Sequence, residues 1–331
     1  GGACETSVRR VVCDGGVGLM AITLALLGVI SGSGGGVTGA GYFGGGWAAA
    51  RVDTVDKFAF PNDSRTTLGT GLSAGRQYLA AMANSGTAGY FGGGMPDGNN
   101  VDTVDKFAFS DDSRTTLGTG LSAATRQFTA MANSGTAGYF GGGYAATYTD
   151  TVDKFAFSDD SRSTLATGLS VARYYLAAMA NSGTAGYFCG GYEAVAGKVD
   201  TVDKFAFSDD SRSTLGTGLS AARYVSSGMA NSGTAGYVCG GKETANVDTV
   251  DKFAFSDDSR STLGTGLSAA TWLAAAMADS GTAGYFGGGY VAASVSTVDK
   301  FAFSDDSRST LGTGLSAATY GLAGMADGNI A

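Results

Sequence analysis

Histidine is absent from the 331-residue sequence, and this absence removes most ordinary enzyme mechanisms. Ser-His-Asp triads, Cys-His pairs, imidazole general bases and histidine-ligated metal centres all need the missing residue. Proline is scarce, with 2 residues, whereas glycine reaches 56. A glycine excess without proline and without a three-residue period is typical of neither collagen nor a disordered linker. The sequence therefore predicts a folded chain with no cofactor and no metal ion.

Positive charge is also sparse. The net charge is −8, and no run of lysine or arginine is longer than the pair Arg9 and Arg10. Binding to a phosphate backbone depends on many clustered basic side chains, so we expect no nucleic-acid partner. Charged residues make up only 15% of the chain and hydrophobic residues 44%, which predicts extensive apolar burial.

The sequence does contain a repeat. The stretch TVDKFAF at residues 54–60 returns verbatim five times, at spacings of 48 to 50 residues. A period of this length indicates a solenoid or propeller. The representative unit, residues 76–122, has no helical periodicity and predicts four short strands separated by turns. These strands are expected at residues 77–83, 87–92, 101–109 and 115–121.

Residue size changes along each unit. The first two predicted strands are crowded with alanine and glycine, whereas the third carries Phe107 and Phe109. This gradient is expected where units converge on an axis, with the phenylalanines filling the widening wedge between neighbours. The glycines at residues 92–94 are expected to allow close backbone approach and positive φ.

The motif GYFGGG, followed by a variable segment, an aromatic strand and a return through LSAARxY, resembles the kelch repeat of β-propellers. The resemblance covers roughly residues 39–331, although Leu117 and its equivalents stand near the place of the kelch tryptophan. The turn SDDSRTT resembles, more distantly, the Asp-box of sialidase-type propellers, with Ser110, Asp112 and Thr116 at matching places. We interpret it as a structural turn, with calcium or ligand binding as the alternative.

Strand counting predicts how the ring closes. The first-strand pattern begins only at Gln77, and its sixth occurrence lies at residues 320–326. We therefore predict that the C-terminal strand completes the first blade as a velcro closure, which removes exposed sheet edges. The expected fold is an all-β, six-bladed, kelch-like β-propeller of four-stranded antiparallel blades at residues 39–331. Residues 1–38 form a separate N-terminal segment.

This N-terminal segment is apolar and glycine-rich. Its basic start precedes an apolar run between Val17 and Ile30, which is short for a transmembrane helix. Two interpretations stay open, an assembly contact and a secretory signal or anchor. Membrane contact is expected only through this run, and Cys4 and Cys13 could form a local disulfide.

Two further cysteines, Cys189 and Cys239, stand at the same place in consecutive units, where other units have glycine. We interpret them as small apolar residues of an inner strand. A disulfide or a metal-binding pair is the alternative.

The six copies differ mainly after the glycines and at the start of the first strand. Connections in an antiparallel meander alternate between its two ends. Both variable places therefore fall on one face of the disc, the variable face, and the constant turns MANSGTAGY and FSDDSR on the other, the uniform face. The variable face is rich in tyrosine, tryptophan and arginine, which is typical of protein-recognition surfaces; relaxed drift of loops is the alternative. The candidate binding residues are Trp47, Arg76, Arg126, Tyr144, Tyr148, Arg173, Tyr174, Tyr192, Arg223, Tyr224, Trp272, Tyr290 and Tyr320.

These features predict a non-catalytic binding or structural propeller with a protein or glycan partner on its variable face and a larger assembly joined through residues 1–38. The acidic, histidine-free GYFGGG units look similar to propeller modules of tailed-phage structural proteins, which implies a virion or an extracellular or cell-surface location. One alternative is a glycan-binding propeller or hydrolase, although acids on this face are few: Asp97, Glu193 and Glu243. The other alternative is an intracellular kelch adaptor.

Overall fold

The structure is a computed structural model that describes residues 39–60 and 62–328. These residues form six four-stranded antiparallel sheets and one small three-stranded sheet. The first strands of the six large sheets lie beside one another around a central axis, so the sheets are the blades of a closed propeller. The described residues contain no helix that is long and apolar enough to cross a membrane.

We number the blades in chain order of their second strands, and the strands of each blade from the axis outward. From blade 1 to blade 6, the first strands are Ala323–Asp327, Ala80–Asn84, Thr129–Asn133, Ala177–Asn181, Ser227–Asn231 and Ala275–Asp279. The second strands are Ala40–Gly44, Ala88–Gly92, Ala137–Gly141, Ala185–Cys189, Ala235–Cys239 and Ala283–Gly287. The third strands are Val55–Ala59, Val104–Ala108, Val152–Ala156, Val202–Ala206, Val250–Ala254 and Val298–Ala302. The fourth strands are Ser64–Thr67, Arg114–Thr116, Arg162–Thr164, Arg212–Thr214, Arg260–Thr262 and Arg308–Thr310.

Blade 1 is built from both ends of the described chain. Its first strand, Ala323–Asp327, pairs antiparallel with Ala40–Gly44 over five residues. The predicted six-bladed, all-β propeller with a C-terminal velcro strand is therefore confirmed. The expectations for residues 1–38, including a signal, an assembly contact and a disulfide between Cys4 and Cys13, lie outside the described residues.

Burial follows composition from strand to strand. In blade 2, every residue of Ala88–Gly92 is buried, whereas the fourth strand, Arg114–Thr116, is largely exposed. The fourth strand is also shorter than the predicted 115–121, because Gly118 and Gly120 supply no side chain to pack on a pleated sheet. A short, polar outer strand protects the blade edge from pairing with another chain.

Glycine allows neighbouring blades to approach closely. A Cβ at Gly138 in blade 3 would overlap the Sδ of Met82 in blade 2, and equivalent Met-Gly contacts occur at all six interfaces. Close backbone approach and positive φ were predicted for residues 92–94. Positive φ is confirmed for Gly93 and Gly94, with values of +58° and +99°, whereas Gly92 belongs to the second strand and does not adopt it.

The paired phenylalanines fill two different spaces. Phe107 packs edge-on against Phe91 within blade 2, at 5.7 Å between ring centroids. Phe109 stacks on Tyr42 of blade 1 at 5.3 Å, so it fills the wedge between blades as predicted. The same inter-blade stack of tyrosine on phenylalanine recurs at all six interfaces.

Each stack carries a polar clamp at its end. The Tyr42 hydroxyl donates to Asp112 of the next blade at 2.9 Å, and Lys57 donates to the same carboxylate at 2.8 Å. Asp112 is the second aspartate of the SDDSR turn and has a φ of 57°. The equivalent clamp aspartates are Asp63, Asp160, Asp210, Asp258 and Asp306. The contacts identify this turn as a structural element that joins blades.

Cys189 and Cys239 end the second strands of blades 4 and 5, and both are buried free thiols. At the same place in blade 2, a Cβ on Gly92 would lie 2.7 Å from Phe140 of the next blade. Val238 replaces that phenylalanine beside Cys189, which makes room for the sulfur. Burial raises the pKa of Cys189 to about 12, so the thiol stays neutral. The interpretation as small apolar residues is confirmed.

A candidate recognition face

The two variable places of each blade lie next to each other on one face. Isolated bridges join the segment before the first strand to the segment after the second, as between Arg126 and Tyr144 in blade 3 and between Trp272 and Tyr290 in blade 6. In blade 4 the pairing grows into the small three-stranded sheet, formed by Arg173–Tyr174, Tyr192–Glu193 and Gly197–Lys198. Blade 4 is therefore the blade in which this pairing forms strands and not isolated bridges.

The fifteen tyrosines divide into two sets according to position. Six are the clamp tyrosines between blades. The other nine lie on the variable face, and they are Tyr78, Tyr144, Tyr148, Tyr174, Tyr175, Tyr192, Tyr224, Tyr290 and Tyr320. No described tyrosine lies elsewhere, so every tyrosine outside the clamps belongs to the variable face.

Most of these tyrosines form one connected cluster across blades 3 to 5. Tyr148 stacks on Tyr174 with ring centroids 4.6 Å apart, and Tyr174 contacts Tyr192 at 5.8 Å. Tyr192 in turn contacts Tyr224 at 5.4 Å. Burial, followed by the hydrogen bond with Tyr148, raises the pKa of Tyr174 to about 12. Its hydroxyl therefore stays protonated at neutral pH.

A second aromatic group covers blades 5, 6 and 1. Tyr290 lies between Trp272 and Tyr320, at centroid distances of 5.9 and 5.7 Å. The Lys242 ammonium lies 4.9 Å from the Trp272 ring. In blade 1, the Arg51 guanidinium lies over Trp47 at 5.4 Å. Each of the two tryptophan rings therefore already has one cation of the protein itself over it.

A groove of about 530 Å³ opens between the loops of blades 3 and 4. Tyr144 and Tyr148 line one part of it, and the connection into blade 4 contributes Val171. The loop of blade 4 contributes Glu193 and Val195. This loop is the longest of the six, and it accounts for the single 50-residue spacing in the repeat.

Val171 and Val195 stand out by exposure. Val195 is 98% exposed and Val171 46%, and within residues 39–60 and 62–328 they are the only large hydrophobic side chains in the exposed class. Both border the same groove. Sequence analysis missed them, although each departs from the repeat: the other five units have alanine at the place of Val171.

Three of the predicted binding arginines are not on the surface, so this part of the prediction is wrong. Arg76, Arg173 and Arg223 are at most 1% exposed. Each pairs at 2.9 Å with a buried aspartate of its own blade, and these aspartates are Asp105, Asp203 and Asp251. A buried guanidinium needs such a partner to offset its desolvation.

The buried aspartates are ionised in the folded protein. Burial alone would raise the pKa of Asp203, but the Arg173 guanidinium and the hydrogen bonds from Thr214 and Ser170 outweigh it and lower the pKa below its usual value. Blades 3, 6 and 1 have threonine in place of the arginine, at Thr125, Thr271 and Thr319. The exchange of arginine for threonine between units is the feature of the sequence that indicates a packing role for this position.

Arg126 is the one predicted arginine that stays on the face. Its guanidinium lies 4.9 Å from the Tyr144 ring and donates to Asn100 at 3.1 Å. It is partly buried, so it supports Tyr144 from the side of blade 2.

The centre of the variable face contains a ring that the sequence does not reveal. One residue per blade adopts positive φ, and its backbone N–H donates to the carbonyl of the equivalent residue in the preceding blade. The N–H of Tyr78 donates to Gly321 at 2.7 Å, and the N–H of Gly321 closes the circle by donating to Leu273 at 2.9 Å. The six residues are Tyr78, Gln127, Tyr175, Val225, Leu273 and Gly321.

Two small cavities lie along the central axis of the propeller. The ring borders one of about 70 Å³, and the first strands enclose another of about 110 Å³. Ligand sites for small molecules usually have about 300–1,000 Å³. The groove between blades 3 and 4 is within this range, and the axial cavities are well below it.

The three acids that the sequence analysis named on the variable face lie on different blades. Asp97, Glu193 and Glu243 belong to the loops of blades 2, 4 and 5, and only Glu193 borders the groove. Among the described residues, no group of three or more Cys, Asp or Glu side chains could hold a metal ion.

The described residues thus form a six-bladed β-propeller whose variable face is rich in aromatic side chains. No protein-family model matches the chain. No curated protein matches it either.

Proposed function

We propose that the protein is a non-catalytic, kelch-like binding propeller that holds a protein partner in the groove between blades 3 and 4. The observation that carries the proposal is that exposed apolar side chains lie beside one groove. The two exposed valines, Val171 and Val195, border the same tyrosine-lined groove. Isolated exposed apolar residues are common, whereas exposed apolar residues that border the same groove are typical of interaction sites.

The lining of the groove suits an apolar side chain of a protein partner. Burying one valine gains about 1.5–3 kcal/mol relative to leaving it in water. Tyrosine adds contact area at low entropic cost, because it has only two rotatable side-chain bonds. Tyr148 is already fixed by its stack on Tyr174, so little further order is lost on binding.

The buried arginines favour binding over hydrolysis. A sialidase-like site would need a cluster of accessible arginines with a tyrosine and carboxylates. Arg76, Arg173 and Arg223 are instead held in internal ion pairs. The groove contains one carboxylate, from Glu193, whereas glycoside hydrolysis ordinarily uses two.

We also propose that the propeller is a component of a virion or of an extracellular or cell-surface assembly. The topology is compatible with display of the variable face. Gly39 leads into the second strand of blade 1 and Asp327 ends its first strand, so both lie on the uniform face. The variable face is thus free of both ends of the described chain.

A displayed random-peptide library tests the binding proposal. We expect selection on the full chain to yield peptides that lose binding to the Val171→Asp variant and keep it with Ala317→Asp. Ala317 occupies the equivalent place in the connection from blade 6 to blade 1, on the opposite side of the ring. Peptides that bind all three proteins equally, or no peptides above background, would refute a recognition groove at blades 3 and 4.

A further inference from the structure

The groove contains a single charged side chain, Glu193. Its Oε1 accepts a hydrogen bond from the backbone N–H of Ala196 at 3.2 Å. In the part of the chain that the structure describes, no lysine or arginine forms an ion pair with it. A carboxylate beside an apolar groove thus keeps acceptor capacity for a ligand.

The position of Glu193 is fixed by the small sheet. Glu193 pairs with Arg173 on one side and with Gly197 on the other. The neighbouring Tyr192 contacts Tyr174 and Tyr224, which holds the strand in place. A charge on a rigid strand loses little conformational freedom when it binds, so it contributes to specificity.

Blade 5 provides an internal comparison. Glu243 occupies the same loop position as Glu193, but the residue before it is Lys242 and not tyrosine. Lys242 places a positive charge in this loop, over the Trp272 ring. Tyr192 takes that place in the loop of blade 4, whose own lysine, Lys198, lies opposite Tyr192 in the small sheet and forms no ion pair with Glu193 among the described residues. The groove of blades 3 and 4 is therefore the place where a carboxylate and an apolar surface coincide.

From this juxtaposition we infer that the partner inserts an apolar side chain into the groove next to a lysine or arginine that pairs with Glu193. The inference rests on the proposed function and names the chemistry of its partner. The apolar side chain contacts Val171 and the tyrosines, and the cation replaces solvent at the free carboxylate oxygen. A partner with a glutamate at the same place would face a like charge and be rejected.

The experiment uses one library peptide whose binding depends on Val171. We expect Glu193→Gln to weaken its binding about fivefold and to reduce the salt dependence of the affinity. The matched variant Glu243→Gln should leave both unchanged. Replacing the basic residue of the peptide by glutamine should weaken binding to the wild-type protein similarly and have no further effect on Glu193→Gln.

The outcomes separate the two proposals. A peptide that needs Val171 but is indifferent to Glu193→Gln overturns the cationic partner and leaves the groove intact. The absence of any Val171-dependent peptide overturns the groove itself. Self-association of the chain that Val171→Asp abolishes would identify a second copy as the occupant, and it would also overturn the inference.

Discussion

The hydroxyl of Tyr90 in blade 2 donates a hydrogen bond to Asp160 in blade 3 across 2.7 Å. Lys106 donates to the other carboxylate oxygen at 2.7 Å, and the Tyr90 ring stacks on Phe157. This clamp occurs at all six interfaces and joins each blade to the next. We expect Asp160→Asn to lower the free energy of unfolding by about 1–2 kcal/mol, because it removes the charge but tolerates positive φ. Thermal unfolding followed by circular dichroism measures the loss.

The neighbouring aspartate provides the control. Asp159 accepts a hydrogen bond only within its own turn, from the N–H of Ser161 at 3.0 Å. Blade 1 has Asn62 at the same place, with an equivalent bond to Ser64 at 3.1 Å. Asp159→Asn should therefore leave the melting temperature unchanged. Equal melting temperatures for both variants would show that the clamp does not stabilise the ring.

The buried ion pair of blade 5 should respond asymmetrically to removal of its partners. Asp251→Ala leaves Arg223 buried without a counter-charge, and we expect a loss of about 3–5 kcal/mol. Arg223→Thr leaves Asp251 with hydrogen bonds from Ser220 and Thr262, and its loss should be about 1–2 kcal/mol. Three blades carry threonine here naturally. Chemical denaturation compares the two variants, and a larger loss from Arg223→Thr would contradict the assignment.

The clamp tyrosines should ionise only when the protein unfolds. Burial, and then the hydrogen bond to Asp160, raise the pKa of Tyr90 far above its usual value near 10. The other five clamp tyrosines are shifted in the same direction. A raised folded-state pKa gives stability that is fully present below about pH 10 and lost as the pH rises towards the folded value.

A spectrophotometric titration checks this alkaline behaviour. The tyrosinate absorbance of the clamp residues should appear in the same pH step as the loss of the β-sheet circular dichroism signal. Tyr90→Phe should reduce the amplitude of that step by one tyrosine. Complete ionisation of all fifteen tyrosines with an unchanged circular dichroism spectrum would be incompatible with the clamps.

The velcro strand makes ring closure sensitive to the C-terminus. Deletion of residues 320–331 removes the first strand of blade 1 and exposes the edge of Ala40–Gly44. We expect the truncated chain to associate or aggregate, because an open sheet edge pairs readily with another chain. Deletion of residues 329–331 alone is the control. Light scattering after gel filtration distinguishes the two, and a monomeric truncated chain with unchanged stability would argue against closure by this strand.

The six-bladed propeller could be predicted because the sequence features that determine it recur six times. The period of 48 to 50 residues, the constant glycines and the late start of the first-strand pattern together determine blade number and closure. The location of the variable face followed from antiparallel connectivity. Both properties depend on patterns that many residues share, so single exceptions do not obscure them.

The direction of single side chains could not be predicted in the same way. Three consecutive residues of blade 4 show this. Arg173 is buried, Tyr174 stacks on Tyr148 beside the groove, and Tyr175 belongs to the ring of backbone hydrogen bonds at the centre of the variable face. Positive φ at Tyr175 breaks the alternation of strand side chains. Residue type does not predict this conformation, because tyrosine, glutamine, valine or leucine adopts it in five blades and glycine in only one.

The groove between blades 3 and 4 could not be predicted from the sequence for another reason. Its lining comes from a loop of blade 3, a loop of blade 4 and the connection between these blades, so no single repeat contains it. The signal was present in the departures from the repeat, namely Val171 and the long loop with Val195.

The affinity of a library-selected peptide for the Val171→Ala variant tests the central claim most directly. This substitution restores the alanine that the other five units carry, so the fold should tolerate it. If the groove between blades 3 and 4 is the recognition site, we expect binding to weaken about tenfold while the melting temperature stays the same, because about one buried apolar contact is lost. Unchanged affinity would contradict the account.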